Sequence, residues 1–180
     1  MKELELGALA LVALLVCLKA FLLWRLAGVN PFKYGHPAEV VFVALAGVFV
    51  WAVMFDHPDV SLFDTGPFRW AGVAAIGAGL VVFVAALAAM GDSWRVGIDR
   101  GTPGKLVTRG IFARTRNPIF LFMDLYVAGT FVLHGTLLFF VIALVGIVGI
   151  HFQIRREERF LEGRYGEEYG SYRARTPRYL

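Results

Sequence analysis

Residues 119–150 read IFLFMDLYVAGTFVLHGTLLFFVIALVGIVGI, an apolar block with a polar interruption in its middle, at Leu133-His134-Gly135-Thr136. About 20 apolar residues are enough to cross the roughly 30 Å hydrocarbon core of a bilayer, so this block is too long for a single crossing. The polar interruption contains a glycine, which suits a tight turn. We therefore expect two short transmembrane helices that form a hairpin.

Three further apolar runs precede this block, at roughly residues 4–27, 38–55 and 69–90. Overall, 58% of the residues are hydrophobic and 18% are charged, whereas a soluble domain has about 45–50% and about 25%. The fold-class prediction is therefore an all-α integral membrane protein with about five transmembrane helices. We expect the first run to be retained, because no small-x-small cleavage site follows it.

Small residues in the third run suit close packing against another helix. Ala75 and Gly79 are four residues apart, and Gly77 lies between them. Such residues let two helix backbones approach each other closely inside a membrane. We expect all three to serve as scaffold.

Lysine and arginine are concentrated in residues 91–118 and in the tail after residue 150. Both segments flank the hairpin and so lie on one side of the membrane, which the positive-inside rule makes cytoplasmic. Loop 28–37, with Lys33, falls on the same side, and the acidic loop 56–68 falls outside. With five spans, the N-terminus is predicted to be outside.

Several classes of function lose their support at this point. The chain has no phosphate-binding loop, no dinucleotide-binding glycine motif and no nucleophile elbow. The histidines are scattered and Cys17 is the single cysteine, so we predict neither a metal site nor a disulfide. Topology already explains the basic residues, so no nucleic-acid partner is expected. The histidines are His36, His57, His134 and His151.

The loop before the hairpin ends in Arg116-Asn117-Pro118. Proline suits the first turn of a helix, where its missing N–H costs nothing. The free backbone amides of such a helix start, beside Arg116 and Asn117, can seat a carboxylate or a phosphate. A helix start alone explains the Asn-Pro pair equally well. The same loop carries apolar residues that predict a fold back over a pocket, namely Leu106, Val107, Ile111 and Phe112.

Acidic residues follow the last apolar run. If the helix continues past the membrane, Gln153 and Glu157 share one face and Glu158 lies on a neighbouring one. The alternative is a solvated extension held by ion pairs between successive turns. Tyrosines beyond it suit either an interfacial aromatic belt or the wall of a pocket; they are Tyr165, Tyr169, Tyr172 and Tyr179.

Two motifs in the second half of the chain, the second of which has an acidic and a tyrosine-rich part, resemble those of a known superfamily. Their sequences are Leu106-Val-Thr-x-Gly110-x-Phe112-x-x-x-Arg116-Asn117-Pro118-x-Phe120, then Glu157-Glu158-x-x-Leu161 and Tyr165-Gly-Glu-Glu-Tyr169-x-x-Tyr172. This pattern is similar to that of the isoprenylcysteine carboxyl methyltransferase and phospholipid methyltransferase superfamily. The resemblance covers residues 91–180, a methyltransferase-like region with a cofactor loop, the hairpin and a helical tail. Residues 1–90 would then supply scaffold helices and access for the acceptor.

The resemblance implies S-adenosylmethionine as cofactor and a lipophilic or lipidated acceptor that arrives from the bilayer. It also implies a site that faces the cytoplasm, and the Asn-Pro form favours a prokaryotic cytoplasmic membrane. The implied catalytic positions are Arg116, Gln153 and Glu157. The implied cofactor-binding positions are Leu106, Val107, Gly110, Phe112, Asn117, Pro118, Phe120, Glu157 and Glu158.

The chain also departs from the carboxyl-methylating branch of that superfamily. Asn117 stands where that branch has histidine, and Gln153 stands where it has the arginine that would hold a substrate carboxylate. These departures favour an amine, a thiol or another lipid-soluble acceptor over a prenylcysteine carboxylate.

Two other functions stay open from the sequence. One is an NADPH-dependent membrane reductase of lipids or steroids, although an acidic pair suits an ammonium better than phosphates. The other is a non-catalytic scaffold or transport protein, which Asp124, an acid within an apolar run, supports. Asp124 could also simply form a hydrogen bond inside the helix bundle.

Overall fold

A computed structural model describes residues 2–27, 37–55, 59–91 and 105–180. These residues form six α-helices and a 3₁₀ helix at Gly110–Ala113. The α-helices are α1 (Lys2–Ala27), α2 (Pro37–Met54), α3 (Arg69–Met90), α4 (Pro118–His134), α5 (Leu137–Tyr165) and α6 (Glu167–Arg175). Some residues behind the topology and metal predictions lie outside the described residues. For the topology they are Lys33, Asp56, Arg95 and Arg100, and for the metal prediction they are His36 and His57.

The predicted helical class is confirmed. Three described helices are long and apolar enough to cross a membrane. They are α3, α5 and the Glu3–Arg25 part of α1, whereas α4 is a shorter apolar helix. The expected hairpin is also present, because α4 ends at His134 and α5 begins at Leu137. The count of five spans stays a prediction, as does the orientation in the membrane.

The chain divides into two compact units. The first contains α1 and α2, which pack against each other. The second contains residues 59–91 and 105–180, so α3 belongs with α4, α5 and α6. The functional boundary predicted at residue 90 is not tested by this packing and stays a prediction.

The helices α3 and α4 cross where two glycines meet. A Cβ atom at Gly72 would lie 2.8 Å from the Leu133 side chain and 2.9 Å from the Gly129 carbonyl oxygen. A Cβ atom at Gly129 would lie 2.8 Å from the Ile76 side chain. Neither position has room for a side chain, so these glycines set the distance between the two helices.

The small residues that the sequence singled out on α3 divide into two groups. Gly79 faces α4, where an added Cβ atom would lie 3.3 Å from Phe122, and the Ala75 Cβ would lie 3.3 Å from one added at Gly129. Gly77 is exposed, and none of the described residues lies within 4 Å of a Cβ atom added there. Gly77 lies on the side of α3 that faces away from α4, so its predicted scaffold role stays a prediction.

The turn of the hairpin depends on Gly135. Its φ angle of 64° is in the left-handed region, which other residues rarely adopt. An extended segment pairs with this turn: Leu62 donates to the Gly135 carbonyl at 2.8 Å, and Leu137 donates to the Val60 carbonyl at 2.8 Å. The Asp59 carboxylate accepts the backbone N–H of Leu138 at 3.1 Å. This segment therefore holds both α4 and α5 at their junction.

We predict that Gly72→Ala lowers the free energy of unfolding by about 1–3 kcal/mol, because a methyl group at this crossing forces the two backbones apart. The measurement is a thermal unfolding curve in detergent. Gly77→Ala on the same helix is the matched control, and it should be neutral or slightly stabilising because alanine favours helix. Equal melting temperatures for the two variants would contradict the assigned crossing.

Candidate functional site

The start of α4 carries Asn117 at the position just before Pro118. The Asn117 side chain makes no hydrogen bond that caps the helix. Its amide nitrogen instead donates to Glu158 Oε1 at 3.3 Å and to the Arg178 carbonyl oxygen at 3.4 Å. The Asn-Pro pair therefore starts a helix and also turns a buried polar side chain toward two other parts of the chain.

Glu158 is the last member of the buried face of α5. The earlier members are apolar, and Glu158 is only 8% exposed. Its Oε1 atom lies 3.2 Å from Arg116 Nη2 and 3.1 Å from Arg178 Nε, and its Oε2 atom lies 2.6 Å from Arg178 Nη2. Two guanidinium groups and an amide thus compensate the desolvation of this carboxylate.

The C-terminal tail folds back over the start of α4. The Thr115 hydroxyl, fully buried, donates to the Arg178 carbonyl oxygen at 2.9 Å. The backbone N–H of Arg116 donates to the Pro177 carbonyl oxygen at 3.0 Å. The tail is therefore held by its backbone as well as by the Arg178 side chain.

Two tyrosines of α6 complete the wall of the site. The Tyr172 hydroxyl donates to the Phe112 carbonyl oxygen at 2.7 Å, which ties α6 to the 3₁₀ helix. Burial, together with the nearby Tyr169, raises the pKa of Tyr172 to about 12. Burial, together with the charge of Glu158, likewise raises the pKa of Tyr169 to about 12. Both hydroxyls are therefore neutral hydrogen-bond donors near pH 7.

Several buried donors around this cluster lack a hydrogen-bond partner among the described residues. They include Nε and Nη1 of Arg116 and the hydroxyl of Tyr169. The Arg116 side chain is only 9% exposed, so water does not readily satisfy these atoms. Buried donors without partners are costly. Such an arrangement can bind a small anion, and a carboxylate or a phosphate matches the guanidinium fork.

The site residues that the sequence predicted fall into three groups. Arg116, Asn117 and Glu158 are brought into direct contact, and Pro118 is buried at the first position of α4. Glu157 is half-buried on α5, next to Glu158 in sequence. Gln153 is half-buried one turn earlier on the same helix. The remaining residues lie in the loop, the 3₁₀ helix and the first turn of α4; they are Leu106, Val107, Gly110, Phe112 and Phe120. Their roles stay predictions.

Sequence reasoning did not select Thr115 and Arg178. In the sequence, Arg178 is one of several arginines in the tail, and nothing in its neighbourhood distinguishes it from Arg173 or Arg175. Thr115 directly precedes Arg116 of the motif, and this position is its one signal in the sequence. The spacing of Ile150, Ile154 and Glu158, four residues apart, could have placed Glu158 on the buried face.

We predict that Tyr172→Phe lowers the free energy of unfolding by about 1–3 kcal/mol, because it leaves the Phe112 carbonyl without its donor. Tyr169→Phe is the matched control, since its hydroxyl has no partner to lose among the described residues. Thermal unfolding of both variants, without added ligand, tests the assignment. A loss of stability in Tyr169→Phe alone would contradict it.

The phospholipid methyltransferase family model matches residues 67–168, which is more than half of the chain. The matched region contains α3, α4, α5 and the first two residues of α6, with Arg116, Asn117 and Glu158 among them. It ends before Tyr169, Tyr172 and the C-terminal tail. No curated protein matches the chain significantly.

Proposed function

The chain belongs to the phospholipid methyltransferase family, and from this premise we propose that it transfers a methyl group from S-adenosylmethionine to a lipophilic acceptor at the cytoplasmic face of a membrane. Family membership and the apolar helices make it an integral membrane methyltransferase. The observation that supports S-adenosylmethionine as the methyl donor is the buried cluster at the start of α4. There, Arg116 keeps two nitrogen atoms without hydrogen-bond partners among the described residues.

The residues of this cluster fit the amino-acid end of the proposed cofactor. That end carries a carboxylate, which the free N–H groups of Arg116 can bind, and the Tyr169 hydroxyl can add a neutral donor. It also carries an ammonium, which needs a carboxylate. Glu158 is already engaged by three side chains. We therefore assign the ammonium to Glu157, the neighbouring half-buried acid on α5.

The adenosine end is assigned to the loop and the 3₁₀ helix. Leu106 and Val107 are half-buried, and Phe112 is buried in the 3₁₀ helix that follows them. Apolar and aromatic side chains suit the flat face of a purine ring. Gly110 has a φ angle of 64° and lets the chain turn into the 3₁₀ helix.

The chemistry requires little of the side chains. S-adenosylmethionine, when bound, supplies a methyl group on a positively charged sulfur. The chain binds and orients, and Pro118 and Phe120 help to exclude water at the start of α4. Correct orientation of two reactants and exclusion of water account for much of the acceleration in such reactions.

Asp124 bears on the nature of the acceptor. It lies seven residues before Phe131, so these two side chains share one face of α4. The Phe131 ring lies 5.5 Å from that of Phe140 on α5. At the start of α4, Asn117 contacts Glu158, which is also on α5. Asp124 therefore lies toward α5, about 10 Å along the helix from Asn117.

One oxygen of the Asp124 carboxylate is buried without compensation from the described part of the chain. This atom, Oδ1, has no hydrogen-bond partner among the described residues. The internal hydrogen bond that the sequence left open is thus not formed by this atom. A carboxylate repels an anionic acceptor and attracts an N–H donor. Together with the neutral Gln153, it favours a lipophilic amine over a prenylcysteine carboxylate.

We predict that the purified protein binds S-adenosylhomocysteine, and that Glu157→Gln weakens this binding by about tenfold or more because a charge-assisted hydrogen bond is lost. Isothermal titration calorimetry in detergent is the measurement. Glu162→Gln is the matched control on the same helix. Glu162 pairs with Arg173 in a half-exposed ion pair, which contributes little.

Equal loss of affinity in Glu157→Gln and Glu162→Gln would remove the assignment of Glu157. No binding by a folded and monodisperse wild-type sample would remove the proposed cofactor. NADPH would then be the next ligand to titrate.

We also predict that Asp124→Asn reduces methylation of a long-chain amine by about tenfold or more, while the affinity for S-adenosylhomocysteine stays within about twofold. The measurement is transfer of labelled methyl to the amine in mixed micelles. Asp64→Asn is the control, because Asp64 is exposed and its carboxylate accepts the N–H of nearby Gly66 in a local turn. Unchanged methylation in Asp124→Asn would contradict the assignment of Asp124 to the acceptor site.

A further inference from the structure

We propose that Arg178 is a positioning residue that keeps Arg116 available for the carboxylate of the methyl donor. Arg178 lies in the C-terminal tail, ten residues beyond the end of the matched family region. The inference rests on the proposed function and adds a residue to the same site.

Arg178 contacts the Glu158 carboxylate at a shorter distance than Arg116 or Asn117 does. Its Nε and Nη2 atoms bind the two oxygens of Glu158, at 3.1 Å and 2.6 Å. This is a two-point pairing of a guanidinium with a carboxylate, which fixes orientation as well as distance. The Glu158 side chain is 10% exposed, so little water competes for it. Arg178 therefore determines how the Glu158 carboxylate is turned.

Arg116 uses only Nη2 toward Glu158, and its Nε and Nη1 atoms have no hydrogen-bond partner among the described residues. Without the Arg178 guanidinium, the Glu158 carboxylate keeps only its Asn117 and Arg116 contacts through Oε1, and its Oε2 atom becomes available to a second nitrogen of Arg116. Such a two-point pairing would occupy donors that an incoming carboxylate needs.

The charge balance leads to the same result. One carboxylate, Glu158, lies between two guanidinium groups, those of Arg116 and Arg178. This trio has a net positive charge, which attracts an anion. Removing Arg178 leaves a neutral pair, and the attraction is lost.

The tail remains attached in the absence of the guanidinium. Thr115 and Asn117 donate to the backbone carbonyl of Arg178, and Arg116 donates to that of Pro177. These bonds do not involve the Arg178 side chain. Arg178→Ala therefore tests the guanidinium while it preserves the backbone contacts of the tail.

The test compares two ligands on the full-length protein in detergent by calorimetry. S-adenosylhomocysteine carries both the carboxylate and the ammonium, and its decarboxylated analogue keeps the adenosine and the ammonium alone. We expect Arg178→Ala to weaken binding of S-adenosylhomocysteine by about tenfold or more and that of the analogue by less than about twofold. Arg178→Lys should recover part of the affinity because it restores the charge.

The control is Arg175→Ala, since Arg175 is exposed and its Nε donates to the Ser171 carbonyl of its own helix. Equal weakening for both ligands in Arg178→Ala would overturn the inference, because a merely structural residue would act on both. Unchanged affinity for S-adenosylhomocysteine would overturn it as well. If the wild-type protein does not bind S-adenosylhomocysteine, the proposed function itself fails, so the two failures are distinguishable.

Discussion

The buried carboxylate of Glu158 is the interaction on which the polar half of the second unit depends. It joins three segments that are distant in sequence, namely the start of α4, the end of α5 and the C-terminal tail. A buried charge is tolerated only when it is paired and hydrogen-bonded. The two oxygens of this carboxylate therefore fix the position of all three segments. The site is defined by the neighbouring donors that have no partner among the described residues.

The apolar half of this unit determines where that carboxylate meets its partners. Gly72 and Gly129 allow α3 and α4 to approach closely, and Gly135 reverses the chain into α5. The two helices of the hairpin then run side by side from Gly135 to the level of Asn117 and Glu158. Packing in the apolar region thus sets the geometry of a polar cluster at the opposite end of the hairpin.

Much of this architecture could be predicted from the sequence because its causes are local. The lengths of the apolar runs, the glycine at the hairpin turn and the proline at the start of α4 each act within a few residues. The Arg-Asn-Pro and Glu-Glu motifs likewise led to the superfamily, and the family model agrees. Within the site, Arg116, Asn117 and Glu158 were selected in advance and are found in contact.

The sequence alone thus determined the helices, the hairpin and the methyltransferase family. Only the tertiary structure decided that Glu158 rather than Glu157 joins the cluster, that Gly72 rather than Gly77 lies at the helix crossing, and that Arg178 takes part. The reason is physical. Which side of a helix faces inward depends on its rotation against neighbouring helices, and a contact between residues 20 positions apart depends on the path of the chain between them.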